Sequence, residues 1–104
     1  MSHSFKTAPE RREALQAIRD QFPGHEGSAQ QLRILSAIKQ LGSVTTFEAM
    51  RFLDVYDPRP RKLELVRKGY PILLAWDRME TEAGVPHRVG RYFMARDAAQ
   101  EVAQ

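Results

Sequence analysis

The chain has 104 residues, enough for one domain with a modest core, and its 42% hydrophobic and 28% charged content is that of an ordinary globular protein. No apolar run nears the ~20 residues of a membrane span, residues 1–6 lack a signal-peptide core, and there is no cysteine for disulfide or thiolate chemistry, which points to a reducing cytoplasm. The net charge is +3, and residues 31–70 hold eight Lys/Arg against four Asp/Glu, so a polyanion would be met by the middle of the chain.

Residues 1–6 read as a disordered leader. Thr7 and Glu10 have the spacing of a capping box, with Pro9 tolerated in the first turn of a helix. That helix puts Ala14, Leu15, Ile18 and Phe22 on one side, a stripe that suits either a homodimer contact or packing within the monomer. Pro23, Gly24 and Gly27 then break it. A second helix is expected from Ser28, with Gln31 three residues on, to a left-handed stop at Gly42. Its stripe of Ile34, Leu35, Ile38 and Leu41 marks it as a core strut. Ser43 and Val44 read as a short extended stretch able to add a third strand to a small sheet.

Thr45 and Glu48 form another capping box, opening a short helix to about Leu53 with Ala49, Met50 and Leu53 inward. Asp54, Val55 and Tyr56 make a turn. Asp57 caps a helix whose first turn accepts Pro58 and Pro60, because first-turn amides have no helical acceptor. Gly69 ends it. From Tyr70 to about Glu80 apolar residues alternate, a turn follows, and His87 to Met94 returns as a second strand. Trp76, Leu73 and Tyr92 are expected in the core. Asp97 would cap a short tail helix.

The blocks Gly42-Ser43-Val44-Thr45-Thr46-Phe47-Glu48-Ala49 and Leu65-Val66-Arg67-Lys68-Gly69-Tyr70-Pro71-Ile72 resemble a small winged helix-turn-helix domain found in short phage, prophage and plasmid-type proteins. The resemblance spans roughly residues 30–94. It implies an α+β fold: a three-helix core, a C-terminal β-hairpin wing and here an extra N-terminal helix. It also implies DNA binding, often in transcriptional control, and no cofactor. One departure stands out. Lys62 occupies the position, three before the inward Leu65, where such a helix places an apolar residue. Either the helix is rotated or Lys62 buries its stem and extends its ammonium. The expected layout is leader, helix and linker over 1–27, the winged domain over 28–94 and a tail over 95–104.

The helix after Asp57 carries Arg59, Arg61, Lys62, Arg67 and Lys68. A major groove admits one helix, and arginine pairs bidentately with guanine, so Arg59, Arg61 and Lys62 are candidates to read or anchor the groove. The plain alternative is a solvated helix face braced by Glu64 and Lys68. On the wheel Arg61, Glu64 and Lys68 share a side expected to face outward. Thr45, Thr46, Arg51 and Lys68 are candidates for phosphate, against ordinary capping and solvation. Tyr56 can reach a phosphate or a thymine methyl, and Arg88 on the wing can enter a minor groove. The three histidines are isolated, and no nucleophile stands beside a base, so no catalytic residue or metal site is expected. The reading is a sequence-specific binder of duplex DNA, a small transcriptional regulator. The rival is a winged-helix adaptor that docks another protein.

Overall fold

The computed structural model describes residues 3–4, 8–80 and 83–95. The elements run β1 (His3–Ser4), α1 (Pro9–Gln21), α2 (Gly27–Leu41), β2 (Ser43–Thr45), α3 (Thr46–Arg51), α4 (Pro58–Arg67), β3 (Ile72–Glu80) and β4 (Pro86–Met94). The expected α+β order is present. β3 and β4 pair antiparallel, with Ile72 opposite Met94 and Trp76 opposite Gly90, and β2 adds antiparallel to β4. β1 adds in parallel to β3, His3 opposite Met79, so part of the expected leader is a strand. The Asp97 cap and tail helix lie outside the described residues.

The local stop and start signals explain most boundaries. Gly42 and Gly69 take φ of 88° and 103°, the left-handed turn that a side chain would resist, and they close α2 and α4. The Glu48 amide donates to Thr45 Oγ1 and the Thr45 amide to Glu48 Oε1, both at 3.0 Å, completing the capping box of α3. Two expected caps are replaced. Thr7 lies outside the described residues, and α1 begins at Pro9 behind Ala8 with no side-chain cap. α2 begins at Gly27, so Ser28 falls inside the first turn and makes no box. The reason is that the Gln31 amide, the other half of that box, donates to Glu64 Oε1 at 2.9 Å and accepts from Lys68.

Leu15 and Ile18 of α1 pack into a core with Ile34, Leu35 and Ile38 of α2, Val44 of β2, Leu53, Val55, Leu65 and Tyr92. Phe22 packs against the same cluster. Of the two uses expected for the stripe of the first helix, packing within the monomer is the one seen for Leu15, Ile18 and Phe22.

Two arginines fasten the frame. Arg33 of α2 is 2% exposed, and its guanidinium donates to the carbonyls of Phe22 (2.6 Å), Gly24 (3.0 Å) and Asp54 (3.3 Å). One buried cation thus ties the α1–α2 linker to the α3–α4 turn, satisfying carbonyls that no secondary structure would reach. Arg11 of α1 donates to both oxygens of Glu48 (2.7 and 3.0 Å) and to the Ser43 carbonyl (2.8 Å).

Burial of Glu48 opposes its charge, but the Arg11 guanidinium and the Thr45 amide and hydroxyl outweigh that and hold its pKa below the ordinary 4.5. A carboxylate whose folded pKa is depressed stabilises fully above its unfolded pKa, and the gain is lost as pH falls through the folded value. Glu48→Gln should therefore destabilise by about 1.5–3 kcal/mol at pH 7, the worth of hydrogen bonds to a charged group. Urea midpoints of the two proteins should converge as pH falls below about 4.5; a gap that persists in acid would show that the charge is not what Arg11 holds.

Candidate nucleic-acid interface

α4 begins as the sequence predicts. The Arg59 amide donates to Asp57 Oδ1 at 3.2 Å, and Pro58 fills the first helical position. Pro58 and Leu65 are buried, which fixes the helix's inward line, and Lys62 lies between them, half-buried. Leu65 still faces the core, so the helix is not turned away to spare Lys62. The half-burial of Lys62 fits the alternative, a stem partly covered with its ammonium extended.

The side of α4 expected to face outward is tied to α2, although Lys68 on it stays exposed. Arg61 Nη2 donates to Glu64 Oε2 at 3.0 Å, and its Nε lies 2.8 Å from Glu64 Oε1. Glu64 accepts from Gln31, and Gln31 accepts from Lys68 Nζ. A Cβ placed on Gly27 would stand 3.1 Å from Arg61 Nη1, so the guanidinium lies against the start of α2. Arg61 and Lys68, expected at the groove and at phosphate, thus take part in a clamp between α2 and α4, Arg61 half-buried and Lys68 exposed. The reason is polar: Gln31 is buried, and without Glu64 and Lys68 its amide would have no partner there.

Arg59, Pro60, Leu63, Val66 and Arg67 are exposed along α4, as is Lys68 just past its end. The Arg59 side chain is 82% exposed and holds both oxygens of Asp57, at 3.1 and 3.2 Å. That pairing keeps the Asp57 pKa below, and the Arg59 pKa above, their ordinary values. Among the described residues neither Lys62 nor Arg67 has an ion-pair partner. Arg67 belonged to the basic cluster but had no expected contact; its signal was its place 100° on from Val66 on the wheel.

α3 and the turn supply a second edge. Thr45, expected at phosphate or as an ordinary cap, is buried, and its hydroxyl accepts the Glu48 amide as the cap of α3. Thr46, next in line, is half-exposed. Arg51 lies over the rings of Phe47 (5.7 Å) and Phe52 (5.9 Å). Met50, expected inward, is exposed, and Tyr56 at the turn is 92% exposed. The backbone there is constrained: Asp54 has φ of 55°, and its carbonyl is the one Arg33 holds.

The hairpin supplies the third. Residues opposite one another share a face, so Leu74, Trp76, Arg78, Arg88, Gly90 and Tyr92 lie together. Tyr92 is buried as expected, but Trp76 is 58% exposed and Leu73, on the other face, is also exposed, which corrects the reading of both as core. Alternation shows that a strand has two faces without saying whether both are covered. Arg88 lies over the indole at 4.6 Å. Between this face and the α3–α4 turn is a cleft of about 470 Å³. Met50, Tyr56, Arg59, Leu74, Trp76 and Arg88 line it. Gly90 makes its floor, where a Cβ would sit 2.8 Å from Leu74 Cδ1 and 3.3 Å from Thr46 Cγ2.

The structure therefore brings Thr46, Tyr56, Arg59 and Arg88 around one cleft, and sets Arg51, Lys62 and Arg67 outside its lining. Among the described residues no group of three or more His, Cys, Asp or Glu could hold a metal ion. Nor is any helix there long and apolar enough to cross a membrane. Residues 29–97 match the winged helix-turn-helix domain, and the chain belongs to that family, a domain that suggests DNA binding in general. No curated protein matches the chain.

The clamp has its own signature. Gln31→Ala leaves Glu64 and Lys68 without their buried partner and should cost about 1–3 kcal/mol. Amide exchange along α4 should speed up selectively. Uniform exchange across the whole protein with no local change would deny Gln31 the clamping role.

Proposed function

We propose that the protein binds duplex DNA sequence-specifically as a small transcriptional regulator, with α4 in the major groove and the β3–β4 hairpin beside it. The observation that carries this reading is that α4 is set on the surface with Arg59 and Arg67 exposed, next to a hairpin presenting Arg78 and Arg88. Arg59, near the start of α4, and Lys62 are the candidates to reach base edges, since residues near the helix start point into the groove. Arg67, Arg51 and Thr46 are the candidates for phosphate, and Tyr56 and Arg88 reach the backbone or minor groove from the turn and the wing. The Arg59–Asp57 pair is exposed, so exchanging Asp57 for a phosphate or a guanine is cheap, because water screens the pair that is given up.

The rival reading, an adaptor that docks another protein, draws on Leu63 and Val66, which α4 also exposes. Salt dependence separates the two. Each phosphate neutralised contributes about 0.9 to the slope of log affinity against log salt. Arg67→Ala should flatten that slope by about one unit, whereas Arg61→Ala should leave it unchanged and lower the unfolding midpoint instead. An Arg59→Ala, Lys62→Ala double substitution should abolish selection of a site from a random duplex pool while the fold persists. A wild-type slope near zero would leave the adaptor reading in possession.

A further inference from the structure

The cleft between the turn and the wing exposes Tyr56, Trp76 and Met50 together, in a chain with one tryptophan and three tyrosines. A monomer gains nothing by holding such side chains in water, and a clustered apolar patch marks a binding surface. The cavity, about 470 Å³, lies within the roughly 300–1,000 Å³ of small-ligand sites. Its chemistry is mixed in a particular way: aromatic rings within, and the guanidinium groups of Arg59 and Arg88 in its lining, one of them stacked on the indole. Asp57 is the acidic residue in the lining, and its carboxylate is already held by Arg59. The floor is kept open by Gly90, directly opposite Trp76, where any larger residue would press on Leu74 and Thr46.

We infer that this cleft receives one unpaired nucleotide of a DNA strand, its base stacked against Tyr56 or Trp76 and its phosphate met by Arg59 and Arg88. This rests on the DNA-binding reading above and goes beyond it. A base paired within a duplex offers protein only its edges, because neighbouring bases cover its faces. Ring-to-base stacking is available only to a base that has left the stack. Leaving is easiest where the nucleotide is mismatched or bulged, so the cleft confers a preference for such sites over continuous duplex. Stacking is tolerant of sequence, since every base has a π face, and the preference follows the defect and not its identity.

Trp76, the single tryptophan, reports on its own site. The full chain is titrated with three hairpin DNAs of one sequence: fully paired, with a bulged thymidine, and with the same bulge abasic. The thymidine bulge should bind roughly ten- to a hundred-fold tighter than the other two, the worth of one stacked base, and should quench Trp76 emission. Tyr56→Ala, at an exposed position that does not threaten the fold, should shrink the ratio between bulged and paired affinities. Equal affinity for the thymidine and abasic bulges, with binding to the paired hairpin intact, would overturn the nucleotide site alone. Free thymidine monophosphate quenching as strongly, at equal concentration, as the bulge would overturn the assignment to a DNA strand. Failure to bind any of the three would overturn the DNA reading beneath it.

Discussion

The angle at which α4 is held about its own axis decides what this protein can present to a partner. Two interactions of different strength set it. Leu65, nearly fully buried, gains about 1.5–3 kcal/mol from leaving water, and this fixes which line of the helix is inward. The polar chain from Arg61 through Glu64 and Gln31 to Lys68 is worth less, since exposed or half-exposed pairs contribute about 0–1 kcal/mol each. Yet it chooses the flank that meets α2, because the buried Gln31 amide needs those partners. Together they tie Arg61 and Lys68 to the α2 side, Arg61 half-buried, and leave Arg59 and Arg67 exposed.

The remaining fastenings serve the same end. Arg33 holds the α3–α4 turn by the Asp54 carbonyl while gripping the linker behind it, so the turn that carries Tyr56 is anchored from the core side. Arg11 joins α1 to the β2–α3 corner through the Ser43 carbonyl and through Glu48, which also closes the cap of α3. α1 is thus structural bracing for the helix pair. The hairpin is anchored at one end by Ile72 and Tyr92 in the core, and farther along it Trp76, Arg78 and Arg88 are exposed.

The features legible in the sequence are those satisfied within a few residues. The Thr45–Glu48 box spans three positions, Asp57 caps an amide two positions on, and Gly42 and Gly69 act through their own φ. The hairpin and the apolar stripes of α1 and α2 were equally readable, since periodicity is local. The clamp was not: the Gln31–Glu64 bond spans 33 residues and the Lys68–Gln31 bond 37, and no spacing rule announces them. Ser28 followed by Gln31 has the form of a capping box, and only the tertiary demand on Gln31 defeats it. A wheel drawn for α4 grouped Arg61, Glu64 and Lys68 correctly but could not say which neighbour stood beside them. Arg33, one arginine among many, gave no sign that it would be buried. The exposure of Trp76 depended on which face of the hairpin other elements cover, which alternation does not record.

If α4 is oriented as described, its arginines must respond unequally to DNA. The side-chain Nε–H resonances of the arginines, followed by NMR during titration with duplex, report this residue by residue. Arg59, Arg67 and Arg88 should shift or broaden on binding, while Arg61 and the buried Arg33 keep their free-state positions. Movement of Arg61 with Arg59 and Arg67 unmoved would contradict the orientation of α4 on which the interface depends.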